Sequence, residues 1–290
     1  MTSHEEANRG SSWINLISNL GLMGFKLIVG IVGHSEALIA DGIHSGADVL
    51  SSVAVVIGLW VAGRPPDEGH NYGHAKAEAI SQKVVAVLLL LAGLEVANSA
   101  LQALHAPHAV PDRLTLGVAL LAMVIKGVMA WSQTRLARVT GSHAILASAV
   151  DNRVDAVSSL IAAAGIAATR GGWRPGDAVS ALLVAAMIIW GGVSVFTTAA
   201  QDLMDPAADA ETVEHIRSAI LGVPGVQAIS LLRTRVSGTM VLVDVEIDVA
   251  RDLSLVAAHD IAHRVHDVVL GVPRVSAATV HVNPAEDEKR

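Results

Sequence analysis

The stretch Ala37 to Ser51 reads ALIADGIHSGADVLS and sets His44 and Asp48 four residues apart inside a long apolar run. Residues four apart share one face of an α-helix. A second pair with the same spacing, Asp151 and Asp155, sits in AVDNRVDAVSS, again within an apolar run. An ionisable group at the bilayer centre costs about 2.5–3.5 kcal/mol on insertion scales, so such groups mark ion pathways or find partners. Two helices that each offer such a pair bring one imidazole and three carboxylates to a single divalent cation.

Working outward, a spanning helix needs about 20 mostly apolar residues. Six stretches qualify: Trp13–Val32, Glu36–Ala62, Ala79–Leu104, Leu114–Leu136, Ala144–Thr169 and Asp177–Ala199. Breaks fall at Gly33-His34-Ser35, Gly63 to Ala77, Ala106 to Arg113, Thr140-Gly141-Ser142 and Gly171 to Gly176. An even number of spans puts both chain ends on one side. Arg9, Arg64, Lys76, Arg135 and Arg138 flank that side, against Arg113, Arg170 and Arg174 on the other. The positive-inside rule therefore predicts cytoplasmic termini in a cell (inner) membrane. Small residues within the spans, Gly21, Gly24, Gly42, Gly46, Gly165, Gly191 and Gly192, are expected to let helices approach closely.

Beyond Asp205-Pro206 the composition becomes that of a soluble domain. Ala210–Leu221 reads as an amphipathic helix, and Val226–Val236 and Thr239–Val249 as β-branched strands joined at Ser237-Gly238. Leu255–Leu270 is a helix with Ser254 as its N-cap, and Val275–Val282 a last strand. The expected architecture is an α-helical membrane protein with six transmembrane helices plus a small α/β domain, α-β-β-α-β and ferredoxin-like. Residues 1–12 form a tail, 13–204 the membrane domain and 205–290 the cytosolic domain.

Composition narrows the function. Only 16% of the 290 residues are charged, and the formal net charge is −7, which excludes the basic patch of a nucleic-acid binder. Cysteine is absent, so any metal site uses imidazole, carboxylate or backbone oxygen. No His-Glu-x-x-His, P-loop or cysteine nucleophile appears, and an enzyme is not expected. The loop holds Asp67, His70 and His74 within eight residues, which reads equally as a ligand cluster or a solvated one. His259, His263 and His266 follow one helix face, with His281 on the last strand. Glu95 and Lys126 also fall within spans and receive no transport role; pairing with each other or snorkelling would satisfy them.

SEALIADGIHSGADVLSS resembles the second transmembrane helix of the cation diffusion facilitator family, DNRVDAVSS its fifth-helix motif, and DEGHNYGHAKAE the loop after helix two. The resemblance extends over nearly the whole chain. It implies a homodimer in membrane lipid that exports a divalent transition metal in exchange for protons, the ion being substrate and also a structural or regulatory ligand, with no other cofactor. Its transport site would be His44, Asp48, Asp151 and Asp155, departing from common family versions in placing the histidine on helix two and Asp at both helix-five positions. Asp67, His70 and His74 would hold an accessory ion, and Glu246, His259 and His281 a regulatory one. Ser230 and Asn283 stand where the family commonly has His or Asp, and Asp248 is a substitute ligand. Lys76 and Asp205, joined by Arg235, match a charge cluster that holds two protomers together. Zinc leads as cargo, with Mn²⁺, Fe²⁺, Co²⁺ and Cd²⁺ as the others. Metal binding requires neutral His and ionised carboxylates, so protons compete with it, and His44 is the group suited to exchange near neutral pH. The alternative is a metal-sensing scaffold without transport.

Overall fold

The computed structural model describes residues 3–105, 110–140 and 143–285. The first two residues of the expected tail, residues 106–109 of one loop and Gly141-Ser142 of another lie outside them. Six long helices come first: α1 (Ser3–Val32), α2 (Glu36–Ala62), α3 (Ala77–His105), α4 (Arg113–Thr140), α5 (His143–Arg170) and α6 (Gly176–Leu203). The order continues α7 (Ala210–Leu221), β1 (Val226–Ser237), β2 (Met240–Val249), α8 (Leu255–Leu270) and β3 (Val275–Pro284). Helix α1 begins at Ser3, ahead of the expected Trp13.

Among the described residues, four helices are long and apolar enough to cross a membrane: α2, α3, α4 and α6. The apolar part of α1 is the shorter stretch Ile17–Val32. Helix α5 carries Asp151, Arg153 and Asp155 in its first half, which dilutes its apolar character.

The chain divides into two units, one running to Val56 and resuming over Gln82–Phe196, the other comprising Ile57–Ser81 and Thr197 onward. Inside the first unit, α1, α2, α4 and α5 meet through Val29, Leu38, Val118, Ala119, Ala162 and Ile166. A second core joins α2, α3 and α6 through Ala40, Val96, Ala100, Val184 and Ile188. Small side chains dominate both, because dense contact between backbones drives association where lipid removes the hydrophobic incentive. A Cβ on Gly42 would lie 2.9 Å from Leu27, and one on Gly165 only 2.1 Å from Ser180 Oγ. Gly21, Gly24 and Gly191 have nothing within 4 Å of that position, so the expectation of close packing does not hold there.

The start of α2 is fixed twice. The Ser35 hydroxyl accepts from Leu38 N–H at 3.2 Å, and the Asp177 carboxylate accepts from Glu36 N–H at 2.6 Å and Ala37 N–H at 3.3 Å. A carboxylate at a helix N-terminus satisfies orphan donors and complements the helix dipole.

In the second unit, β1 and β2 pair antiparallel and β2 and β3 parallel, in the order β1-β2-β3. The hairpin turns through Gly238 at φ 60°, the conformation that a two-residue turn asks of its first central residue. Strand β2 alternates, with Val241, Val243, Val245, Ile247 and Val249 buried. They pack with Ile216 and Ile220 of α7 and Ile261, Val265 and Val269 of α8. Each such side chain stabilises the fold by about 1.5–3 kcal/mol when fully buried, so both helices are held to one sheet face. Ser254 caps α8 by accepting from Ala257 N–H, as expected.

Candidate metal centre

Helices α2 and α5 bring His44, Asp48 and Asp155 together near their midpoints, with one potential ligand atom from each within 4.8 Å of the others. His44 Nε2 lies 3.6 Å from Asp155 Oδ1, too far for a hydrogen bond. Both ring nitrogens of His44 and Oδ2 of Asp48 are shielded from solvent without a hydrogen-bond partner. Buried polar atoms are almost always paired, and converging unpaired nitrogen and oxygen atoms are what a cation would satisfy. Asp155 is 3% exposed, whereas the Asp151 side chain is exposed and lies outside the cluster. Asp151 precedes Asp155 by four residues, about 6 Å of helix rise toward the beginning of α5. The four residues expected as one set are thus three gathered side chains and one carboxylate apart from them.

Asp155 has a second partner that the sequence reading did not assign. Lys126 of α4 is fully buried and donates to Asp155 Oδ2, to Asn19 Oδ1 of α1 and, at 3.0 Å, to Asn152 Oδ1. It does not pair with Glu95, which is exposed. Nor does it snorkel, because its ammonium is held in the helix bundle.

A second buried ion pair lies one turn from the cluster and was also unassigned. Lys26 Nζ of α1 is 2.8 Å from Asp41 Oδ2 of α2, both fully buried. Lys26 also donates to Ser45 and Ser159 at 3.0 and 3.1 Å. Ser158 and Ser159 of α5 donate to the two oxygens of Asp41 at 2.6 and 2.8 Å. Asp41 is one turn before His44 in the opening motif, and the serines follow Asp155 by three and four residues; that spacing was the available signal.

The loop after α2 gathers Asp67, His70 and His74. Asp67 Oδ1 is 3.1 Å from His70 Nδ1, and Oδ2 is 3.3 Å from His74 Nε2. Desolvation pushes the Asp67 carboxyl up, but hydrogen bonds from the His70 backbone and ring, with the charges of His70 and His74, outweigh it and hold the group below the usual carboxylate range.

The soluble domain does not assemble the expected trio. Glu246 Oε2 accepts from Asn283 Nδ2 at 3.1 Å, and His259 stacks edge-on against His263, ring centres 4.5 Å apart. His281 is the strand neighbour of Glu246 in the β2–β3 register. Ser230 donates to Asp248 Oδ1 at 2.9 Å. Amide and hydroxyl partners thus occupy the carboxylates, and Glu246, His259 and His281 form no metal-holding group among the described residues. Lys76 does meet Asp205, at 2.9 Å. That hydrogen bond, aided by the charge of Arg235, holds the Asp205 carboxyl below its usual range. The Arg235 guanidinium itself lies over the Tyr72 ring, 4.9 Å from its centre.

Comparison with known proteins identifies the family of the chain. Residues 12–204 match the family described as the cation efflux transmembrane domain, and residues 208–285 match the cation efflux protein cytoplasmic domain. The chain is similar to the manganese efflux system protein MneP of Bacillus subtilis, 32% identical over 99% of each chain. It is also similar to MneS of the same organism, 31% identical over 99% of this chain and 100% of the relative. Of solved structures, a nickel form of a MamM CTD variant aligns at 26% identity with a TM-score of 0.27, covering 27% of this chain and 100% of that one.

Proposed function

Because the chain belongs to the cation efflux family, we propose that it carries a divalent transition-metal ion out of the cytoplasm in exchange for protons, with Mn²⁺ as cargo ahead of Zn²⁺. One observation carries the site: the shielded, unpaired ring nitrogens of His44 and Oδ2 of Asp48 belong to side chains whose ligand atoms gather with one from Asp155 within 4.8 Å of one another. Two features support manganese. The donor set is richer in carboxylate oxygen than in imidazole, which suits Mn²⁺, and two similar relatives are manganese efflux proteins by name. Asp151 joins as a fourth ligand only once the ion is present, swinging from its exposed position one turn away.

Proton exchange follows from the ligands. Binding needs His44 neutral and Asp48 and Asp155 ionised, so a proton arriving at any of them weakens the site. Exchange is alternating access, in which the ion loads from the cytoplasm and leaves as protons arrive from outside. Helices α1 and α5 join α2, α3, α4 and α6 as spans, giving six crossings with both termini cytoplasmic. The protein works as a homodimer, with Lys76, Asp205 and Arg235 near the contact between protomers. The loop trio Asp67, His70 and His74 holds an accessory ion.

The test is metal uptake into inside-out vesicles with an acidic lumen, across Mn²⁺, Zn²⁺, Fe²⁺, Co²⁺ and Cd²⁺. The expected result is Mn²⁺ uptake that collapses when the pH gradient is removed and is absent from Asp48→Asn. Tight binding with no gradient-driven uptake of any ion would overturn transport and favour a sensing scaffold.

A further inference from the structure

An ammonium group has three N–H donors, and Lys126 has three acceptors: Asn19 Oδ1, Asn152 Oδ1 and Asp155 Oδ2. The side chain is fully buried, so this charge is tolerable only because each donor is satisfied and one partner is an anion. The amide of Asn152 is held with its oxygen toward the lysine, because its nitrogen donates to Gln133 Oε1 at 2.8 Å and to the Ser148 carbonyl at 3.0 Å. Asp155 is divided between two demands. Its Oδ2 takes Lys126, while its Oδ1 faces His44 and the point where the metal ligands converge.

From this geometry we propose that Lys126 is a tethered counter-cation: it neutralises Asp155 when cargo is absent and, by its fixed charge, holds metal affinity low enough for release. The proposal rests on His44, Asp48 and Asp155 being the transport site. With His44 neutral and both carboxylates ionised, the four side chains sum to a single negative charge, which a divalent ion turns positive until Asp151 joins and brings the sum to zero. A neutral residue at position 126 would leave two negative charges for the ion to cancel. In a poorly screened interior that difference acts directly on affinity. The two asparagine oxygens explain how the lysine stays in place when Asp155 turns to the ion, since they keep two of its three donors engaged.

The sign of the effect separates this role from a merely structural one. If Lys126 only positioned Asp155, removing it would weaken metal binding; as a counter-cation, its removal tightens binding and slows release. Calorimetric titration of the full chain in nanodiscs with Mn²⁺ and Co²⁺ measures this, with stopped-flow chelation for the release rate. Lys126→Gln is expected to lower the Kd at least about tenfold, equivalent to about 1.4 kcal/mol. Asn19→Asp keeps the lysine but gives it a second anion, so it should also tighten binding, and its near-isosteric change safeguards folding. Unchanged or weaker binding in whichever variant folds overturns the proposal. Asp48→Asn, which leaves Lys126 untouched, locates the failure. If Asp48→Asn loses binding while the lysine variants do not tighten, the counter-cation idea alone falls. If Asp48→Asn binds as the wild type does, the transport site itself is wrong and the lysine role falls with it.

Discussion

Asp48, Asp151 and Asp155 are the same residue type in three different situations, and substitution should separate them. Losing a group around a metal ligand typically costs 10–100-fold in affinity, so Asp48→Asn, which removes a ligand, is expected to cost more than about a hundredfold by calorimetric titration. Under the proposed function Asp151 is recruited rather than pre-placed, and Asp151→Asn should then cost less than Asp48→Asn. An equal loss would mean that its exposed position is not where it works. Asp155→Ala is the least clean of the set. It strands the buried ammonium of Lys126, and breaking a buried pair costs about 3–5 kcal/mol. Lost transport in that variant is therefore expected together with lost thermal stability. The same magnitude is expected for Lys26→Met, read as unfolding in detergent, because Asp41 is then left buried without its cation. From sequence Lys126 was offered only Glu95 or snorkelling and Lys26 received no partner, for a physical reason. A lone charge in an apolar run shows that a partner must exist, but Lys26 meets Ser159 across 133 positions and Lys126 meets Asp155 across 29. Local spacing is blind to such pairs. His44 and Asp48 were legible because both lie on one turn of one helix.

At the scale of helices, the boundaries of α2 were readable to the residue because Ser35 and the glycine after Ala62 are chemical punctuation. The role of each glycine was not, since composition does not say which face of a helix meets a neighbour. Gly165 and Gly191 illustrate the difference. A side chain on Gly165 meets Ser180 Oγ and the Gly176 carbonyl at 2.1 and 2.6 Å, so Gly165→Val should destabilise the α5–α6 contact by about 1–3 kcal/mol. Gly191 faces open space, and Gly191→Ala is expected to be neutral or to stabilise by up to about 1 kcal/mol through helix propensity. Thermal unfolding in detergent checks both, and similar losses in the two would refute the packing distinction. In the C-terminal domain, the β-branched run along β2 and the Ser237-Gly238 turn made the strand legible, and its residues bury with period two. The β1–β2 hairpin was expected from that turn, whereas the placing of β3 parallel to β2 depends on the crossover helix and had to be seen.

Over the whole molecule, acid acts through more than the proposed metal site. The Lys76 ammonium holds the Asp205 carboxyl below its usual value, so the pair contributes stability above the unfolded carboxylate pKa of about 3.9 and loses it as pH falls through the lower folded value. Unfolding followed across that acid range should show a steeper decline in the wild type than in Lys76→Gln. The pair is half-exposed, and the neutral-pH difference between the two should stay within about 1 kcal/mol. An identical acid limb in both would remove the pair from the stability of the second unit.

The Lys26–Asp41 knot has a consequence for which way the bundle is open. It lies toward the beginning of α2 and the end of α5, fully dry, with its serines saturating both oxygens of Asp41. On the opposite side of the ligands, toward the beginning of α5, Asp151 is exposed. The knot thus plugs the bundle on that side of the ligands, while exposed Asp151 marks the other side, which under the proposed topology faces the cytoplasm. Because the chain contains no native cysteine, single-thiol tagging needs no background removal. Asp151→Cys should react with a membrane-impermeant maleimide in inside-out vesicles but not in right-side-out ones, and Ser158→Cys in neither. Labelling of the latter from the outside would mean that the plug is a door.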